Sequence, residues 1–527
     1  MRRWNSWGLS TTQVSVPQPF LQLLKKQLGE AQPGPELSFE DSLDRVPQSK
    51  LQNESDLDTS SQTRLRHAVG QSFPDWVRIK SGAVEGYADA VVQPTSEAEV
   101  EAVLKRAQQM GAKVLIRGGG TSVVGHFELK EVDAPVLLLC TDRLNRLLTL
   151  DEESGLAEIE GGATGPQVEA ALEAKGFMLG HHPQSFELST LGGWVATRSA
   201  GHFSSRYGRI EDLFVGGRVI TPSGLLETQR VPASAAGPSL QHLILGSEGR
   251  LGMISRCVMK VRRSPERQTF HGAYLPDAQS ATLALREIAQ AELGLSMSRL
   301  SLPHETQTSF AMSDKFAAKA LGKVVDLMQG DQACLLLYGA AGPDKRVQSA
   351  LSEVRTIIKK HRGFVVGSAI GKHWYQTRFL QPYMRESLWQ AGYGADTAET
   401  AVPWNEVEGT VADIRHRLKN ALAGEAEAVH VFSHLSHVYP HGASIYTTYM
   451  FRLAAEPEQN LARWRLLKDA ISAAIVQHGG TISHQHGVGQ DHKPYLEAEK
   501  GKLGVSALNA AVHAIDPQEL FNTGNLL

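Results

Sequence analysis

Cysteine is scarce in this chain: Cys140, Cys257 and Cys334 lie far apart, none in a CxxC spacing, and three cannot all pair within one molecule. That excludes a disulfide framework and a cysteine-based zinc site, and a reducing, cytoplasmic setting is expected. Charge of one sign is lacking too, because 53 Lys and Arg face 56 Asp and Glu for a formal net charge of −3. No general electrostatic pull toward nucleic acid or an anionic membrane follows, so an anionic ligand must be met by local groups. No apolar run reaches the roughly 18 residues that a membrane-crossing helix needs. The opening MRRWNSWGLS has an arginine pair without the apolar stretch of a signal peptide behind it. Finally, the glycine turn IRGGGTS at 116–122 is wrongly spaced for GxGxxG and lacks the lysine of a P-loop, which excludes both of those nucleotide sites there.

What is present is a globular composition, 42% apolar and 21% charged over 527 residues. At roughly 100 to 200 residues per domain this predicts two to four structural units. Residues 28–63 are rich in Pro, Ser, Gln and acids and read as an irregular, partly helical arm. From Asp89 the pattern sharpens. AVVQP reads as a strand, Ser96 with Glu99 as a capping box, and Val100, Val103, Leu104 and Ala107 sit at helical spacing. KVLIR is the next strand, and it ends at Gly118, Gly119 and Gly120, the end of a strand where α/β folds hold ligands. VLLL, LLTL and LAEI follow as strands, and GGATGP leads into the helix QVEAALEAKG with Pro166 in its first turn. Between about 266 and 425 strands such as ACLLLYG alternate with amphipathic helices such as VQSALSEVRTIIKKH. The expected class is α+β, divided into an N-terminal arm and helical segment (1–86), a nucleotide-binding domain (87–265), an α/β cap or substrate domain (266–425), and a C-terminal helical segment completing the active site (426–527).

Three loops point to a dinucleotide. Consecutive glycines at 118–120 let backbone amides converge on a pyrophosphate where Cβ atoms would block the approach, although a GGG run alone is more often only a turn. QSFELSTLGGWVATRSAG (184–201) sets Ser189, Thr190, Thr197 and Ser199 around a glycine pair, and GSEGRLGMI (246–254) adds a third glycine loop with one Glu. Glycines, small hydroxyls and one carboxylate in separate loops suit a long dinucleotide lying across a sheet.

The order IRGGGTS, STLGGWVATRSAG, YGRIEDL, GSEGRLG resembles the FAD-binding domain of the vanillyl-alcohol oxidase superfamily, the p-cresol methylhydroxylase (PCMH) type. Within it the chain is most similar to the alkyldihydroxyacetonephosphate synthase family, and the likeness runs end to end. RWNSWG (3–8) resembles KWNGWG, TAETAVPWNEV (397–407) resembles FETSAPWDRV, GASIYTTYMFR (442–452) resembles GACIYFYFAF, GGTISHQHGVG (479–489) resembles GGSLSHHHGVG, and the tail FNTGNLL resembles FGNRNLL.

That resemblance implies a two-subdomain PCMH-type FAD domain and noncovalently held FAD. Ile116, Arg117, Gly118, Gly119, Gly120, Thr121 and Ser122 would lie along its pyrophosphate side. Gln184, Ser185, Glu187, Ser189, Thr190, Gly192, Gly193, Thr197, Arg198, Ser199 and Gly201, with Glu248, Gly249, Gly252 and Ile254, would complete the pocket. His126 is read as an ordinary loop histidine. Tyr446 falls on the family's acid or base beside the flavin, with His484 and His486 as its partners in proton transfer. Arg385 falls on the arginine that meets the substrate phosphate, where a guanidinium fork suits phosphate oxygens. Arg299 and Thr397 join it on the substrate side, and no metal is expected.

The implied activity is a redox-neutral transferase that exchanges the acyl group of an acyl-dihydroxyacetone phosphate for a fatty alcohol in ether-lipid synthesis. One departure favours a different reading: Gln485 stands in the middle of the family's three histidines, and Gln cannot take a proton. The alternative is an FAD-dependent dehydrogenase of a 2-hydroxy acid or polyol phosphate. A third, a flavin fold surviving as a binding module, is opposed by the matched Tyr, His and Arg positions. The expected partners are a small lipid or phosphorylated substrate and a second copy in a homodimer, with room for peripheral membrane contact and no nucleic acid.

Overall fold

The computed structural model describes every residue except 130, 131, 313–321, 323, 324, 326, 522 and 523. Its first half builds three small sheets among the described residues. β1 (Ala90–Val92), β2 (Lys113–Arg117) and β3 (Val136–Cys140) form a parallel sheet in the order β1-β3-β2. The helix Glu97–Gln109 buries Val100, Leu104 and Ala107, as its 3.6-residue spacing predicts. Ser96 caps its start by accepting from Glu99 N–H, but the reciprocal bond of the expected capping box falls one residue earlier. The Glu99 carboxylate takes the N–H and hydroxyl of Thr95, each at 2.8 Å.

β4 (Leu147–Asp151), β5 (Leu156–Glu160), β7 (Phe214–Thr221), β8 (Gly224–Glu227) and β9 (Met253–Lys260) form an antiparallel sheet ordered β4-β5-β9-β7-β8, while β6 (Phe177–Met178) pairs with β10 (Arg262–Arg263). The helix Leu191–Thr197 packs Leu191, Trp194 and Val195 into the core of the larger sheet with Ile159, Cys257 and Met259.

The second half is one large sheet. β11 (Arg267–Leu275), β12 (Leu295–Ser301), β13 (Cys334–Gly342), β14 (Phe364–Gly367), β15 (Tyr393–Pro403), β16 (His430–Tyr439) and β17 (Gly442–Arg452) run in the order β14-β11-β13-β12-β16-β17-β15, every pairing antiparallel. Side chains alternate across it with period 2. Leu300, Leu336, Leu435, Ala443, Ile445 and Val402 pack with residues of the helices Ala278–Gln290, Asp344–Lys360 and Val407–Asn420. Ala398, Tyr449 and Phe451 pack with the helix Pro457–Gln477. The residues between these positions look the other way, toward the first half of the chain. β16 and β17 belong to the expected C-terminal segment and β11 to β15 to the expected cap, so the division at 425/426 runs through a single sheet; the C-terminal segment adds two long helices, Pro457–Gln477 and Leu496–Ile515, to those strands.

Residues 28–63 are largely irregular and solvent-facing, with short helices at Phe39–Leu43 and Ser61–Arg66, as expected of a partly helical arm, while the helices on either side of them are built in. The helix Gln18–Leu28 buries Phe20, Leu24 and Leu28 against Tyr393, Phe432 and Met450. The helix Phe73–Ser81 starts with a reciprocal Ser72–Asp75 capping box and packs Phe73, Trp76 and Val77 against Trp389, Phe451 and Trp464. Lys80 in that helix is fully buried, with its ammonium 2.8 Å from Glu36 and 3.1 Å from Glu386. The far C-terminus folds back as well: Val114 N–H donates to Leu520 O, and Asn525 donates to the carbonyl of His126. Among the described residues no helix is long and apolar enough to cross a membrane.

Candidate active site

The three glycine loops meet backbone to backbone. A Cβ on Gly118 would strike the Thr190 hydroxyl, one on Gly119 the carbonyl of Leu188, and one on Gly161 the carbonyl of Ile254; Gly120 holds φ at +62°, a left-handed value that favours glycine. At these positions neighbouring main chain, the Thr190 hydroxyl and the Arg117 guanidinium occupy the space that a side chain would take, so glycine is what lets the loops pack this closely. Arg2, which sequence reasoning passed over, binds the loops together: its guanidinium donates to Gly119 O at 2.5 Å and to Leu188 O at 3.0 Å.

Several expected FAD contacts have local work instead. Arg117 turns onto the Phe127 ring at 4.9 Å and donates to Val69 O. Ser122 meets His126 Nδ1 at 2.5 Å, and His126 Nε2 meets Glu248 at 2.7 Å. Glu248 also accepts the N–H groups of Val488 and Gly489, so this chain of bonds ties the first and third glycine loops to the segment after His486. Burial alone would lower the His126 pKa, but the Glu248 carboxylate outweighs it and the net shift is upward. His126 is therefore a structural pin between loops.

In the second loop Ser185 and Ser189 bond each other at 3.0 Å, and Trp194 donates to Ser189 at 2.7 Å. Thr197 bonds Gly193 O, Ser199 meets His181, and Gly201 N–H meets Ser204. Gln184 reaches Arg378 O, Glu187 accepts from Tyr383 at 3.2 Å, and Arg198, at a left-handed φ of 53°, lies 3.5 Å from Glu211. In the third loop Gly249 (φ +79°) and Gly252 (φ +141°) take backbone shapes that side chains resist.

The register of the large sheet builds the chemical face. Ser301 lies opposite His434, His434 opposite Tyr446, and Tyr446 opposite Glu399, so three adjacent strands line up His434, Tyr446 and Glu399. His434 stacks on Tyr446 with centroids 5.0 Å apart at 15°, and Tyr446 OH donates to Thr397 at 3.1 Å. Arg299 reaches Glu305 at 2.7 Å, with His434 and Ser301 each at 3.1 Å. Buried Glu305 is held down to about 2 because Arg299 and His434 overcome its burial, so the Arg299 charge is already balanced.

Arg385 differs from Arg299. It lies on the helix Met384–Gln390, points inward over the Trp76 ring at 4.4 Å, and donates to Gln71 O. Burial lowers its pKa, offset in part by the nearby Asp396 carboxylate, and Tyr446 also lies within its electrostatic reach.

Over this face lies the segment 483–492. His486 meets Tyr446 edge to face at 5.8 Å and 81°, and its Nδ1 is 3.7 Å from Glu399. His484 Nε2 and Tyr439 OH are 2.7 Å apart, and Arg209 donates to the His484 carbonyl at 2.8 Å. Burial drives both imidazoles well down, His486 to about 3 with help from Lys468, so both are neutral near pH 7. Burial pushes Tyr446 above its ordinary value, so its phenol keeps its proton. The face thus offers neutral imidazoles able to accept a proton and a phenol able to donate a hydrogen bond.

Glu399 is the residue that sequence reasoning missed. It is 2% exposed, it accepts the Gln485 N–H at 2.5 Å, and its Oε2 has no hydrogen-bond partner. Burial raises it to about 7 against the downward pull of Gln485, Arg209 and His486 N–H. Gln485 itself turns toward Glu399, with both main-chain and side-chain amides acting on that carboxylate. Among the described residues no group of three or more His, Cys, Asp or Glu has the placement to hold a metal ion.

Comparison with known proteins agrees with this layout. Residues 88–229 match the FAD binding domain family and residues 264–526 the FAD linked oxidases, C-terminal domain. An alkyldihydroxyacetonephosphate synthase of Dictyostelium discoideum is 31% identical over 100% of this chain and 93% of its own. A solved alkyldihydroxyacetonephosphate synthase structure superposes with a TM-score of 0.83 at 28% identity, covering 100% of this chain and 99% of that one. p-Cresol methylhydroxylase shares the fold, with a TM-score of 0.66 at 14% identity over 92% and 96% of the two chains. The two matched families, with the end-to-end likeness to the synthases, define an FAD-dependent flavoenzyme of the PCMH type. Within that class the chain belongs to the alkyldihydroxyacetonephosphate synthase family.

Proposed function

We propose that the protein exchanges the acyl group of an acyl-dihydroxyacetone phosphate for a fatty alcohol. The observation that carries this reading is the inward Arg385 beside a face of neutral Tyr446 and His486: a fixed cation suited to a phosphate next to groups suited to moving one proton. FAD, when bound, supplies an electron-accepting ring, chemistry that no side chain offers. Gly118, Gly119 and Gly120 admit its pyrophosphate without a covalent bond to His126, whose two ring nitrogens are taken by Ser122 and Glu248. Arg385 holds the substrate phosphate. His486 accepts the proton leaving the substrate carbon, and Tyr446, kept neutral, donates a hydrogen bond to the substrate oxygen. His484, bonded to Tyr439, orients the segment. The protein works in the cytoplasm as a homodimer and meets a membrane peripherally to collect its lipid substrates.

The FAD-loaded protein given palmitoyl-dihydroxyacetone phosphate and labelled hexadecanol is expected to form a labelled ether lipid; no ether from fully loaded protein contradicts the reading. Gln485, which cannot carry a proton, favours the second reading as an FAD-dependent dehydrogenase. Anaerobic bleaching of the flavin by lactate, glycolate, 2-hydroxyglutarate or glycerol 3-phosphate is its signature, and an unbleached flavin with all four opposes it.

A further inference from the structure

We propose that Glu399 is the positioning residue of this site: its carboxylate fixes the His486 ring through Nδ1–H and leaves Nε2 as the proton acceptor. The inference rests on the proposed function for its consequence in turnover, but not for its geometry.

Three observations converge on it. Glu399 lies directly across from Tyr446 in the β15–β17 pairing, so both side chains project from the same face of the sheet. Its Oε1 is 3.7 Å from His486 Nδ1, close enough that a small ring rotation completes a hydrogen bond. Its Oε2 is buried without a partner, and a buried acceptor left unsatisfied is costly unless a donor reaches it in the working state.

The charges facing Glu399 come from every side. Tyr446 faces it from β17, His486 and the Gln485 amides from the overlying segment, and Arg209 from the turn before the helix Ile210–Leu213. Tyr439 acts from β16, and Lys468 acts on His486 from the helix Pro457–Gln477. Glu399 is the titrating partner of this group, because burial holds its own proton until about pH 7 while His486 stays neutral. Below that pH the carboxyl is neutral and loses its grip on Nδ1–H; above it the anion holds the ring and stabilises the imidazolium that forms when Nε2 takes a proton. Gln485 supplies a donor to Glu399 that does not itself titrate, so one proton governs the ring.

The test uses FAD-loaded protein with 15N-labelled histidine and no substrate, with the His486 ring signals assigned through His486→Gln. The wild-type signals are expected to shift with a midpoint near pH 7, because Glu399 ionises beside the ring. Asp491, a second buried carboxyl that burial raises to about 7, is the control. Asp491→Asn should leave the inflection and Glu399→Gln, whose amide oxygen still accepts Gln485 N–H, should abolish it. In the ether-forming assay Glu399→Gln should lose about 10- to 100-fold in kcat, the usual cost of removing a group that orients a functional imidazole, and lose the rising limb near pH 7. No inflection in wild type, or one that survives in Glu399→Gln, overturns the proposal. If wild type makes no ether, the function reading fails while the histidine signals still decide the role of Glu399. If Glu399→Gln does not retain FAD, the wild-type and Asp491→Asn titrations decide it.

Discussion

At the scale of single residues, the neutral state of the imidazoles decides what each can do. His486 touches Tyr446 and faces Glu399, whereas His484 is occupied by Tyr439, so their losses should differ. His486→Ala, compared at matched FAD occupancy, is expected to lower ether formation by about 10² to 10⁴, the usual contribution of a general acid or base, and His484→Ala by less. Gln485→His should leave the rate unchanged or raise it. Arg385→Met should raise KM for the phosphorylated substrate by about 10- to 100-fold, the size of a lost charge-assisted bond, with Arg299→Met smaller because Glu305 already balances Arg299. Steady-state kinetics with both variants checks this. Tyr446, His484, His486 and Arg385 were named from their motifs, and the structure sets His486 and Arg385 beside Tyr446. Glu399 was not legible: a Glu in the alternating strand TAETAV reads as a solvent-facing position, and only the pairing with β17, more than 40 residues on, turns it inward.

At the scale of elements, glycine was the most legible signal, since the three loops announce themselves by runs that no helix or strand interior favours. What could not be read was that the loops press on each other, which depends on long-range contacts such as Gly119 against Leu188. Gly119→Ala should therefore push the 118–122 loop away from the second loop and lower FAD retention, measured as flavin absorbance per protein after gel filtration. Retention equal to wild type would mean that the loop contact tolerates a methyl group. The His126–Glu248 pin sets a pH dependence with a definite sign. His126 has a raised folded pKa, so the pair's stabilisation is fully present below the unfolded value of about 6.5 and is lost as pH rises through the higher folded value. The Tm difference between wild type and Glu248→Gln should be largest at acid pH and shrink as pH rises above about 6.5.

At the scale of the whole molecule, the chain closes on itself. Residues 1–86 contribute Arg2 to the glycine loops and Trp76 beneath Arg385, and Leu520 and Asn525 return to β2 and His126. Composition near residue 40 reports local solubility and not tertiary partners: Glu36, itself exposed, and Glu386 are what make the charge of buried Lys80 tolerable inside. The expected boundary at 425/426 had the same origin: a shift in His and Tyr content marks the chemical face of a sheet, and the sheet itself continues through it. The central claim is that this face performs a redox-neutral exchange at Tyr446. Its most direct test is the rate of labelled ether formation by wild type and Tyr446→Phe at equal FAD content, with flavin absorbance followed throughout. Ether accumulating in wild type without net bleaching, and at least about a hundredfold slower in the variant, is the predicted result; equal rates in the two proteins, or ether formed only as the flavin bleaches, would contradict it.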